Sequence, residues 1–209
     1  MAGELAALVQ AVSDGDVDRA RTLLDADPSL VRHPHGGASP LHYAAIHNQR
    51  ATVDLLLDRG ANVEDLDAEF GAQPVGWANE KGHMAMVRYL HERGTSLTLH
   101  SAAAFGLTSE VERLADAQPD RIDEIVGYGA PLHLAALWGH PDVVSALLAR
   151  GANPLRRNQD GELAMVIANR QALSGGAQTP LVIPERRQEI VDGCRRAAEI
   201  LRAVTTETV

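Results

Sequence analysis

Apolar residues recur along this chain at helical spacing, in short bursts punctuated by glycine and proline. From Ser39 the order is Ser-Pro-Leu-His-Tyr-Ala-Ala-Ile-His-Asn, followed by Val53, Leu56 and Leu57 and closed by Gly60-Ala61. From Ala130 it is Ala-Pro-Leu-His-Leu-Ala-Ala-Leu-Trp-Gly-His, followed by Val144, Leu147 and Leu148 and closed by Gly151-Ala152. Steps of three and four place these apolar side chains on one face of a helix. Each proline falls at a helix start, where its missing N–H would have had no intrahelical partner. Each closing glycine falls where a second helix must stop in a left-handed turn. Both blocks therefore predict a short helix, a tight turn and a second short helix.

Weaker copies follow the same ruler. Pro74 precedes Gly82 by eight residues and Gly94 by twenty, the offsets that separate Pro131 from Gly139 and Gly151. Further copies run from Leu99 to Phe105-Gly106 with Val111 and Leu114, and from Asp160-Gly161 with Met165, Ile167 and Ala168. The first segment fits through Leu8, Ala11, Gly15, Leu23 and Leu24, without the Pro-Leu-His start. A longer period lies above this one. Gly15, Pro28, Pro40 and Gly60 recur 91 residues later as Gly106, Pro119, Pro131 and Gly151, and Ala78-Asn79 recurs, one residue slipped, as Ala168-Asn169. The chain reads as a duplicated three-repeat module.

Repeats of about 33 residues with this pattern resemble ankyrin repeats. The resemblance implies an all-α solenoid of stacked helix-turn-helix units with short projecting loops, in a single domain spanning 1–209. Six repeats are expected, near 4–37, 38–71, 72–95, 96–129, 130–159 and 160–204. The short link from Gly94 to Thr98 leaves no room for a projecting loop between the third and fourth. Residues 171–184 form an insertion between the two helices of the last repeat, either passive or a lid. The tail 205–209 is expected to be disordered. Eighteen arginines against one lysine, Lys81, suit a GC-rich coding genome and a bacterial-type member.

Composition agrees with a helical stack. The chain is 45% hydrophobic but only 3% aromatic, so alanine carries much of the apolar share and small side chains must pack closely. A formal charge of −9 with no basic stripe argues against nucleic acid as a partner. A single cysteine, Cys194, excludes a disulfide framework and a cysteine-based zinc site. No apolar run is long enough for a membrane span, and the N-terminus shows no signal-peptide pattern, so a cytoplasmic monomer is the expectation.

Nine histidines invite a metal or catalytic reading that mostly dissolves. His42, His100 and His133 occupy the Pro-Leu-His position or its equivalent, where the resemblance implies hydrogen bonding between neighbouring turns; His83 and His140 are the Gly-His turn residues. The pair His33 and His35 lacks a third ligand. No metal and no cofactor are expected. The chain has no nucleophile elbow, no phosphate-binding loop and no His-Glu-x-x-His helix. The place of Cys194 on the apolar stripe of the last helix points to a core residue.

The aromatic residues carry the functional expectation. The resemblance places Phe105 and Trp138, each directly before its glycine, and Tyr43 and Trp77, one residue after the histidine position, on the concave groove. Phe70 and Tyr128 lie in the loops leading into the third and fifth repeats. Exposed aromatics grouped on one surface are typical of binding hot spots. His47, Glu80, Asp67 and Glu69 add polar and acidic groups to this set. An aromatic, acid-rimmed groove suits a protein partner, or a cationic one bearing an arginine or a small amine. The expected function is a non-enzymatic protein-interaction module binding through Tyr43, His47, Phe70, Trp77, Glu80, Phe105, Trp138, Asp67 and Glu69. The alternative is a small-molecule binder or enzyme with an acid/base pair at Glu80 and His47.

Overall fold

The computed structural model describes residues 2–175 and 184–206, without the side chains of residues 184 and 185. Among the described residues there are helices and turns and no extended strand, so the structure has the all-α repeat architecture. Contacts divide the chain into two compact units, Met1–Ser96 and Leu97–Val209.

The first unit contains α1 (Ala2–Asp14), α2 (Val17–Ala26), a 3-10 turn (Pro28–Arg32), α3 (Pro40–Ile46), α4 (Arg50–Asp58), α5 (Pro74–Glu80) and α6 (Met84–Glu92). Helices α3 and α5 begin with the prolines that the sequence singled out. Helix α3 packs on α1 and α5, and α2 packs on α4. Leu8, Val12, Leu24, Leu41, Ala44, Ala45, Leu56, Ala78, Val87 and Leu90 are fully buried. Ala44 and Ala45 are fully buried on α3, which has neighbours on both sides, and small side chains let helices pack closely.

The second unit contains α7 (Leu99–Ala104), α8 (Thr108–Ala117), a 3-10 turn (Pro119–Arg121), α9 (Pro131–Leu137), α10 (Pro141–Ala149), α11 (Ala164–Leu173) and α12 (Pro184–Thr206). Helix α7 begins five residues after Gly94 in the chain. Helix α9 packs on α7 and α11, and α10 on α8 and α12. Helix α12, 23 residues long, pairs with α11 and also reaches α9.

The 91-residue period has a geometric counterpart. A tight turn between His35 and Ala38 precedes α3, and the same turn between Val126 and Gly129 precedes α9. Gly60 and Gly151 both sit at φ 88°, a left-handed conformation that a side chain would strain. The arginines before these two glycines and before Gly94, also left-handed, reach back one repeat: Arg59 to Asp25 at 2.8 Å, Arg150 to Asp116 at 2.8 Å and Arg93 to Asp58 at 3.5 Å. These pairs are solvent-accessible and each contributes little, about 0–1 kcal/mol.

Two boundaries differ from the expectation. Helix α11 runs to Leu173, so the first residues of the 171–184 stretch are helical: Gln171 is buried on the inner face and continues the apolar register. The lid and passive-insertion readings concern residues 176–183, which lie outside the described residues. Thr205 and Thr206, assigned to a disordered tail, end α12, where their hydroxyls donate to carbonyl oxygens of the preceding turn. Residues 207–209 lie outside the described residues.

Candidate functional site

The loop from Asp65 to Ala72 is organised by one carboxylate. Asp67 is only 4% exposed, yet it lies in a loop on the surface. Its Oδ1 accepts the backbone N–H groups of Glu69 at 2.9 Å and Phe70 at 2.7 Å, and its Oδ2 accepts that of Ala72 at 3.1 Å. Trp77 Nε1 donates to the same Oδ2 at 3.0 Å. Burial works to raise the Asp67 pKa, but the donors from Phe70, Trp77, Ala72 and Glu69 outweigh it and hold the carboxyl below its ordinary value. Asp67 was expected to contribute charge to the rim of a groove. Its charge is instead consumed inside the loop, because four N–H groups need an acceptor there.

Trp77 carries the order of the loop into the helices. Its ring meets Tyr43 edge-on at 5.5 Å between centroids and His42 at 5.2 Å. Tyr43 in turn donates its hydroxyl to the carbonyl of His35 at 2.8 Å, which ties the aromatic group to the preceding tight turn. Tyr43 and Trp77 are half-buried, and burial raises the tyrosine pKa. The loop thereby presents two large apolar side chains outward: Phe70 is 72% exposed and Leu66 63%. Glu69 is exposed beside Phe70.

Glu80 ends α5 one turn beyond Trp77 and is half-buried. Among the described residues no basic side chain forms an ion pair with it. Burial, and the repulsion of Asp67, push its pKa up, eased by the charge of Lys81. His47 ends α3 and is exposed. No hydrogen bond joins it to Glu80 among the described residues. His47 acts instead on His83, whose pKa is lowered first by burial and then by the charges of His47 and Lys81.

The remaining two site residues lie in the second unit. Phe105 ends α7 and is half-buried. Trp138 ends α9 and packs, with Ala172, against the buried pair Ile190 and Cys194. Trp138 is half-buried, with part of its surface against α12. The loop ahead of α11 is built as in the first unit, with Asn158 in the role of Asp67: Asn158 Oδ1 accepts the N–H groups of Asp160 at 3.0 Å and Glu162 at 2.8 Å. Arg170 donates to Glu162 and, at 3.1 Å, to the hydroxyl of Tyr128.

The repeat histidines are structural. Ser39 N–H donates to His42 Nδ1 at 3.2 Å, so Nε2 carries the proton and donates to Ala72 O at 3.0 Å. His133 does the same between Ala130 N and Glu162 O, and His100 Nε2 donates to Glu124 O at 2.8 Å. Each ring therefore fixes a loop about one repeat further along the chain. Cys194 is fully buried, its thiol donates to Ala136 O at 3.3 Å, and burial pushes its pKa up to about 12. Among the described residues no group of three or more His, Cys, Asp or Glu side chains could hold a metal ion, and no helix is long and apolar enough to cross a membrane.

The residues that sequence reasoning missed are apolar ones in loops. Leu66, Val126 and Leu155 are 63%, 51% and 47% exposed, with Phe70 and Tyr128 in the corresponding loops. Their signal was present: a leucine or valine inside a segment otherwise rich in Gly, Asp and Asn has no helix face on which to hide.

A family model described as "Ankyrin repeats (3 copies)" matches residues 8–99, and one described as "Ankyrin repeat" matches residues 130–159. A probable E3 ubiquitin-protein ligase XBOS32 from Oryza sativa subsp. japonica is 31% identical over 198 residues, covering 74% of this chain and 40% of that protein. A putative palmitoyltransferase ZDHHC13 from Danio rerio is 23% identical over 206 residues, covering 77% of this chain and 32% of that protein. Palmitoyltransferase ZDHHC17 from Homo sapiens is 28% identical over 208 residues, with 78% and 33% covered. The chain thus spans well under half the length of these relatives.

Proposed function

The chain belongs to the ankyrin-repeat family, and from that membership we propose that it is a non-enzymatic module that binds a partner protein through the aromatic, acid-bearing face of its first unit. One observation carries this reading. Asp67 spends a buried charge on fixing a loop whose outward product is Phe70 and Leu66, two apolar side chains left in water. A loop held rigid in advance loses little entropy on binding, and large exposed apolar groups gain most from being covered. Tyr43 and Trp77 extend the apolar surface, while Glu69 and Glu80 add acid to it. Cation-bearing partners are therefore favoured over acidic ones.

The test is a peptide library displayed on phage and panned against the whole chain. The enriched peptide is then measured against the double variant Leu66→Ser, Phe70→Ser. Both positions are exposed, so circular dichroism and melting should be unchanged while affinity falls at least about tenfold, or ~1.4 kcal/mol. Retained affinity would place binding elsewhere and refute the reading.

A further inference from the structure

The two units hold opposite charges at one equivalent position. With Ala78-Asn79 matched to Ala168-Asn169, Glu80 in the first unit corresponds to Arg170 in the second. Arg170 is furnished from within its own unit: its guanidinium meets the Glu162 carboxylate and the Tyr128 hydroxyl. The first unit has the complementary parts on one face. Glu80 is a half-buried carboxylate without an ion-pair partner among the described residues, and the rings of Trp77 and Tyr43 stand one turn away. Residues 64–81 contain five acids, namely Glu64, Asp65, Asp67, Glu69 and Glu80, against one base, Lys81, whose charge acts on Glu80.

Not all of these acids are available. Glu64 accepts from Gln73 and from Ser96 N, Asp65 from Asn62, and Asp67 from its own loop and Trp77. That leaves Glu69, which is exposed, and Glu80, which is half-buried. The Trp77 ring cannot turn freely, because its N–H is tied to Asp67 and it stands against Tyr43 and His42 at steep interplanar angles. A fixed indole one helical turn before a half-buried carboxylate suits a flat cation better than a compact one, since a guanidinium can stack on a ring and offer paired N–H groups to a carboxylate together.

We infer that the first unit receives an arginine side chain from an extended segment of its partner protein, stacked on Trp77 and paired with Glu80. This rests on the interaction-module reading and specifies what that module recognises. Lysine would satisfy the charge without the stacking or the bidentate geometry.

The experiment uses the whole chain labelled with nitrogen-15 and three nonapeptides of alternating glycine and serine, with arginine, lysine or citrulline at the centre. The chain has two tryptophans, so the two indole N–H resonances are readily assigned by a Trp77→Phe variant. The arginine peptide should shift the Trp77 indole resonance and bind at least about tenfold tighter than the citrulline peptide, with lysine between them. Glu80→Gln should abolish the arginine preference while leaving the Trp77 resonance of the free protein in place, because Asp67 still accepts its N–H. Equal binding of all three peptides, or a preference that survives Glu80→Gln, overturns the inference. So does free arginine amide binding as tightly as the peptide, which would make the site one for a small cation. The two readings fail separately. A panned peptide that lacks arginine yet is lost with Leu66→Ser, Phe70→Ser refutes the arginine assignment alone.

Discussion

Gly193 of α12 lies directly against Gly139 of the α9–α10 turn: a Cβ placed on Gly193 would stand 2.0 Å from the Gly139 carbonyl oxygen. No side chain can give way there, because the obstacle is backbone. The contact seats the last helix on the turn and buries Cys194, the next residue, beneath it.

Gly193→Ala should therefore be the most damaging single-methyl change in the second unit. A loss of about 3 kcal/mol is expected, since either α12 or the turn must shift. Chemical denaturation of the variant against the parent measures it. A loss no larger than the ~1 kcal/mol typical of an average substitution would show that the helix can slide.

The same seating protects Cys194. With its pKa pushed up to about 12 from an ordinary value of 9.0, its thiolate population at pH 8 falls roughly a thousandfold relative to an exposed cysteine. Labelling by a thiol reagent should follow unfolding, rising with denaturant. Prompt labelling of the native chain would contradict the packing.

At the other end of the chain, Asp67→Asn should destabilise the first unit by about 2 kcal/mol. The amide brings a donor to a site already surrounded by donors, and the charge that strengthened each bond is gone. Trp77→Phe should cost less than Asp67→Asn, because Ala72 N still satisfies Oδ2. Urea denaturation of both variants checks the order, and the Trp77 indole resonance should move in Asp67→Asn.

Acid should weaken the fold before carboxylates protonate. Burial lowers the pKa of His42, His83 and His133 below the ordinary 6.5, and takes His140 to about 4. The unfolded chain then binds protons that the folded chain refuses, so stability falls as pH drops below about 6.5. For His140 the loss continues to about pH 4 and amounts to roughly 3 kcal/mol. Melting followed from pH 7.5 to 4.5 should show the decline. His140→Gln should flatten part of it. A flat profile would mean that these rings are hydrated in the folded state.

Much of this was legible in the residues. Pro40 and Pro131 start helices and Gly60 and Gly151 end them because a fixed φ and a freed φ are local properties that no distant contact needs to supply. The Pro-Leu-His histidines could be read as structural because the repeat places a carbonyl one unit further on. The role of Asp67 was not legible. As an acid in a polar loop it resembled Asp65 and Glu69, and only the folded loop shows four N–H groups converging on it. The packing of Trp138 was no more legible, since its position before the turn matched Phe105 and its contact with Ile190 and Cys194 of α12 joins it to residues more than fifty positions later in the chain.

The sequence by itself determined the family, the proline starts of α3, α5 and α9 and a core carried mainly by alanine, leucine and valine, because these follow from propensity, periodicity and residue size. Tertiary structure alone decided which polar and aromatic groups remain available to a partner. Availability is what is left after internal donors and acceptors have found each other, and that pairing joins residues far apart in sequence. The charge of Asp67 was withdrawn in this way; Phe70 and Leu66 were left outward.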